Sequence, residues 1–180
     1  MDRNRTMDDI GYNAEWIEVD GNHIHRTAII SPYVKMGSGN WIGAYSVIGS
    51  NGEIRGKDPK GFKGVVFIGD NNVISEHVTI QRPFEENQAT VIGSNNIIMA
   101  HAHIGHDVQI CDNCEICTGV ILGGYSKIGN NVKIKLGATV RNRMSIYDNA
   151  LVGLGSAVVK PVQHGSIVYG NPARPKDKPL

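Results

Sequence analysis

Three of the seven histidines fall within six residues, in the stretch Met99-Ala100-His101-Ala102-His103-Ile104-Gly105-His106-Asp107. No other part of the chain is so dense in histidine. A neutral imidazole is a suitable general base near pH 7. A carboxylate beside it, here Asp107 next to His106, orients the ring and favours its protonated form. A backbone N–H unobstructed by a side chain can stabilise an oxyanion. Base, orienting carboxylate and oxyanion donor are the parts that acyl transfer needs. His101 and His106 also have the spacing of two metal ligands, but a catalytic zinc takes three protein ligands. Cys111, Cys114 and Cys117 lack a fourth partner at zinc-ribbon spacing. They read as buried free thiols serving as small hydrophobes.

A six-residue repeat must position these groups. From Ile68 to Val158 every sixth residue is aliphatic in fifteen of sixteen slots, Glu86 being the exception. A second run holds Ile24, Ile30, Met36, Ile42, Ile48 and Ile54. The residue after the aliphatic one is often glycine, and the fourth after it is small, as in Ala102, Cys114, Ser126 and Ala138. Asparagine and aspartate recur between them, suited to the backbone angles of a tight corner. A period of six is the signature of a parallel β-helix, in which about 18 residues, or three hexads, close one triangular coil. Each inward aliphatic side chain then stacks on its equivalent one coil later, with coils ~4.8 Å apart. That spacing carries His106 to Gly124 and then Asn142, and Asp107 to Tyr125 and then Arg143. These residues therefore share one ridge, with the bare backbone of Gly123-Gly124 beside His106. Ile98 and Ile104 take the inward slots, so the three histidines lie on the outer wall or at a corner.

The hexad slots give about seven coils, and the composition agrees with an all-β chain. Of 180 residues, 22 are glycine, 22 isoleucine and 17 valine, but only 5 are leucine. Ile and Val suit strands, whereas a helical bundle would carry Leu and Ala. A net charge of +1 gives no electrostatic reason to expect nucleic acid. No apolar run approaches the ~18 residues of a membrane span, and no charged-then-apolar leader opens the chain, so a cytoplasmic location is expected. The polar residues 1–20 read as an arm or a cloning remnant, residues 21–163 as one β-helix domain, and residues 164–180 as a tail. Two segments break the rhythm, Arg55 to Gly64 and Pro83 to Gln88, with Glu86 nominally in an inward slot. Both read as loops thrown out of the coil, the usual place for function on a rigid scaffold.

Several stretches resemble the left-handed β-helix, or hexapeptide-repeat, acyltransferases, and among them the UDP-N-acetylglucosamine O-acyltransferases. They are Ile68-Gly69-Asp70-Asn71-Asn72-Val73-Ile74, Val78-Thr79-Ile80-Gln81-Arg82 and, most specifically, the stretch from Met99 to Asp107. The resemblance covers roughly Ile24 to Pro172. It implies that His106 is the general base, that Asp107 orients it, and that the Gly124 N–H binds the thioester oxyanion. It implies that His103 contacts the acceptor sugar or the acyl chain. Tyr125, Asn142 and Arg143 on the ridge, with His101 and Gln81, are expected to be further substrate-binding residues. It also implies a homotrimer whose sites draw on two subunits, no bound cofactor, an acyl-CoA or acyl-carrier protein donor, and a nucleotide-linked sugar as acceptor through a hydroxyl or amine. The chain departs from the family pattern at Gln81 and Tyr125, where the family has histidines, and at Arg141-Asn142. It also has Leu154 where the family has a glycine at its acyl-length ruler, and it lacks the helical C-terminal extension. Leu154, with the ending Gly170-Asn171-Pro172-Ala173-Arg174, points to a short acyl group such as acetyl. Two alternatives share the fold. In the γ-class carbonic anhydrases His101 and His106 would be zinc ligands, with Gln81 standing where the third should be. A non-catalytic trimeric scaffold is the other.

Overall fold

The structure, a computed structural model, describes residues 15–176. The chain winds as a left-handed parallel β-helix whose three walls are sheets of ten, seven and six strands. Each wall segment is only two residues long in the regular coils, such as Ile97–Ile98, His103–Ile104 and Gln109–Ile110. The second residue of each pair points inward. Ile98 stacks on Ile116, Ile104 on Leu122 and Ile110 on Ile128, the 18-residue spacing expected of a coil. The seven-stranded wall has one strand per coil, which gives seven coils. The isoleucines from Ile42 to Ile134 in these slots are almost completely buried, and the small slots Ala102, Val120 and Ala138 are buried with them. Replacing Ile116 by Ala should cost about 2–5 kcal/mol, because a rigid stack cannot collapse into the void. Denaturant unfolding would measure it.

The third residue after most of the inward aliphatics turns the corner with a left-handed backbone. His101, Asp107, Asn113, Tyr125, Asn131 and Arg143 all have φ between 56° and 64°. Glycine takes the same turn at Gly119, Gly137 and Gly155. A second polar feature lies inside. Asn22, Asn40, Asn72 and Asn96 are buried one above another, each side-chain oxygen accepting the N–H of the residue one coil up. The ladder stops at Cys114, and the Asn96 amide nitrogen has no partner among the described residues. Of the three thiols, Cys114 and Cys117 are buried as expected, but Cys111 is exposed.

Both breaks in the repeat are excursions, and both leave from the same corner. The first departs after Val47–Asn51 and returns at Val65–Ile68, so Met36 pairs with Ile68, 32 residues on instead of 18. Ile54 lies within it, half-buried, and is not a coil position. The second departs after Thr79–Arg82 and returns at Ala89–Ile92, spacing Ile68 from Ile92 by 24. Its extra length is one hexad, which is why the repeat continues in phase across it. Glu86 accordingly is exposed in the loop and fills no inward slot. The two loops pack on each other. Phe62 is buried edge-on against Phe84 at 5.0 Å, and the N–H groups of Lys63 and Gly64 donate to the carbonyls of Phe84 and Pro83.

The ends differ from the expected arm and tail. Trp16–Val19 pairs antiparallel with Asn22–His25 under the first coil, and Ile167–Tyr169 pairs antiparallel with Arg174–Pro175 over the last. A parallel solenoid leaves open edges at each end, and these two hairpins extend the ten-stranded wall beyond them; the other two walls end on their outermost coil strands. The rest of the arm, residues 1–14, and residues 177–180 of the tail lie outside the described residues.

Candidate active site

His106 sits at the end of a wall and Asp107 is the corner residue that follows. Asp107 takes φ 61°, a conformation that aspartate tolerates better than most side chains. The turn brings its carboxylate back onto the imidazole, with Oδ2 2.8 Å from His106 Nδ1. The Nδ1–H donates to that carboxylate, which leaves Nε2 as the acceptor. Both residues are more than nine-tenths buried.

Two bare backbones hold the ring. A Cβ added to Gly124, one coil above, would lie 2.8 Å from His106 Nε2 and from Cε1. A Cβ on Gly52, at the start of the first excursion, would lie 2.8 Å from His106 Cβ. The Gly124 N–H has no hydrogen-bond partner among the described residues. A free donor thus lies beside the basic nitrogen, where a developing oxyanion can use it.

Nε2 faces a cavity of about 380 Å³ on the seven-stranded wall. His103, His106, Gly124, Gln81 and Asn142 all line it. Glu53 and Ile121 line it too; the 18-residue register places Ile121 over His103, but it does not reach Glu53. His103 pairs with Thr79 below and Ile121 above, and its Nδ1 lies 2.7 Å from Thr79 Oγ1. Burial holds its pKa below the ordinary value of 6.5, with the Glu53 carboxylate acting in the opposite sense. Folding therefore disfavours the imidazolium. The stability this group confers is complete above about pH 6.5 and is lost as pH falls below it. His103→Gln should accordingly lessen the drop in Tm between about pH 7 and about pH 5.

Tyr125 and Arg143 stand on the ridge above Asp107. Tyr125 meets His106 edge-on at 5.0 Å, and the Arg143 guanidinium lies 4.1 Å over the Tyr125 ring. Burial raises the Tyr125 hydroxyl pKa. These two do not line the His106 cavity. Asp107 and Tyr125 border a second groove of about 330 Å³ on the opposite slope, with Gln109 and Lys127.

Two expected residues are not brought to this site within one chain. His101 occupies the preceding corner, one wall away, where its ring stacks on His77 at 4.9 Å. The reason is geometric: five residues along a triangular coil span a whole side. His101 and His106 therefore do not form a metal pair within the chain, and no group of three His, Cys, Asp or Glu side chains is arranged to hold a metal among the described residues. Leu154 is exposed on the corner that carries His101, three coils further on. It does not border the cavity. The hexad register does not reach Glu53 and Gly52, because the first excursion removes them from the repeat. The break in hexad spacing between Ile54 and Ile68 is the one sequence signal that lies near them.

The bacterial transferase hexapeptide model (six repeats) matches residues 89–124, which include the dyad and Gly124. The acyl-[acyl-carrier-protein]–UDP-N-acetylglucosamine O-acyltransferase of Pseudomonas putida is 33% identical, over 84% of this chain and 72% of its own length. The protein of the same name from Gloeothece citriformis is 32% identical over 81% of this chain and 52% of its own, so this chain spans about half the length of that relative. Among solved structures, the UDP-N-acetylglucosamine acyltransferase of Bacteroides fragilis superposes with a TM-score of 0.83. It is 27% identical and covers 87% of this chain and 61% of its own.

Proposed function

Since this chain belongs to the family of the acyl-[acyl-carrier-protein]–UDP-N-acetylglucosamine O-acyltransferases, we propose that it moves an acyl group from a thioester to a hydroxyl or amine of a nucleotide-linked sugar. The observation that carries this reading is His106, set between the Asp107 carboxylate and the unpartnered Gly124 N–H at the edge of a cavity.

In the proposed reaction His106 Nε2 takes the proton of the acceptor hydroxyl or amine as that atom attacks the thioester carbonyl. Asp107 stays ionised, holds Nδ1–H and stabilises the imidazolium that forms. The Gly124 N–H receives the oxyanion of the tetrahedral intermediate. The intermediate collapses by breaking the C–S bond, and the leaving thiolate takes the proton from His106. The products are the acylated sugar and free thiol. His103, Gln81, Asn142 and Glu53 supply the polar contacts that orient the acceptor.

The donor is acyl-CoA or acyl-carrier protein, and the pathway is lipid A-type or surface glycan synthesis in the cytoplasm. No helix among the described residues is long and apolar enough to cross a membrane. A homotrimer fits the apolar side chains left on the outside: Ile29, Ile121, Leu136 and Leu154 are each roughly half exposed or more. An acyl-length limit set by Leu154, with acetyl as the preferred group, requires such a neighbour, because the residue does not border the cavity of its own chain. Incubation with acetyl-CoA, longer acyl-CoAs or acyl-carrier protein and a nucleotide sugar should release free thiol only when both substrates are present. No acceptor-dependent thiol release across that panel would overturn the reading.

A further inference from the structure

Asp107 differs from most other left-handed corners in what anchors its backbone. The N–H groups of His77, His101, Asn113, Tyr125 and Arg143 each donate to a main-chain carbonyl one coil below. Under Asp107 that carbonyl is missing, because the coil below is opened at this corner by the second excursion. The Asp107 N–H donates instead to the Thr90 hydroxyl oxygen at 2.9 Å. The same hydroxyl donates its own hydrogen to the Gln81 carbonyl at 2.7 Å. Thr90 is completely buried. One hydroxyl therefore uses its donor and an acceptor site at once. It closes the neck of the second excursion and replaces the absent carbonyl beneath the dyad.

We propose that Thr90 is a positioning residue for catalysis, fixing the left-handed turn that aims the Asp107 carboxylate at His106 Nδ1. The proposal rests on the general-base reading of His106. Gln81, whose side chain lines the cavity, also lends its main-chain carbonyl to this arrangement, so the acceptor-facing wall and the dyad are tied through Thr90. Valine at position 90 keeps the volume and loses both bonds. Serine keeps both bonds and loses a methyl group.

The test compares Thr90→Val and Thr90→Ser in the full chain, each alone and with Asp107→Asn. Thr90→Val should lower kcat by about 10–100-fold, the cost of misplacing a catalytic group by a fraction of an ångström to one, with little change in KM. Thr90→Ser should stay within a few-fold of the parent. In the Asp107→Asn background Thr90→Val should cost almost nothing more, since residues acting through one another are not additive. An unchanged kcat in Thr90→Val, or an equal further loss without the Asp107 carboxylate, overturns the proposal. A readout independent of activity is the downfield proton resonance of the His106 Nδ1–H. It should persist in the serine variant and vanish or broaden in the valine variant, and its retention in Thr90→Val also overturns the proposal. Absence of any acyl transfer by the parent protein would remove the functional reading, while the resonance would still decide what Thr90 holds.

Discussion

His106→Gln should lower kcat for acyl transfer by about 10²–10⁴-fold, the usual worth of a positioned general base. The effect should fall on kcat more than on KM, because the proton is taken only as the transition state forms. Glutamine retains polarity at the cavity edge and can still reach Asp107, so the packing between Gly52 and Gly124 suffers little. A Tm close to that of the parent, together with the loss of kcat, would separate catalysis from folding. An unchanged rate would exclude His106 as the base and favour a scaffold role for the chain.

Gly124→Ala should cost about 100-fold or more in activity with only a modest loss of stability. The backbone at Gly124 is not left-handed, so alanine is free to adopt it. The penalty comes from the added Cβ, which would sit 2.8 Å from the imidazole Nε2. The ring cannot retreat, because Gly52 closes it in from the other side and Asp107 holds Nδ1. It must tilt, and the tilt spoils both the aim of Nε2 and the space for an oxyanion at the Gly124 N–H. Measurement of kcat and of Tm on the same variant checks the claim. Equal losses in a variant whose melting point collapses would point to packing alone.

Much of this arrangement is legible in the order of the residues. An aliphatic residue at every sixth position has one geometric solution, and its 18-residue coil places Gly124 over His106. Asn142 and Gln81 come to the cavity by the same register or by resemblance. The failures have a common physical source. His101 is close to His106 along the chain but a whole wall away around the triangle. Glu53, Gly52 and Thr90 belong to or flank the excursions, whose 14- and 6-residue additions change which residues are neighbours across coils. Glu86 falls on an inward slot by count only because its loop is one hexad long. The two terminal hairpins have no hexad signal to read, since antiparallel pairing obeys a period of two.

The buried asparagine ladder bears on how the chain finds its register during folding. A column of near-identical isoleucines is degenerate: slip one coil against its neighbour by a hexad, and aliphatic still meets aliphatic. The asparagines lift that degeneracy in the first four coils. A slipped pairing there would strand buried amides, at about 1–3 kcal/mol for each unmet group. Above Cys114 no amide continues the column, so the upper coils have only the lower ones to tell them where to start. The ladder therefore works as an index mark, and errors of winding should concentrate where it ends.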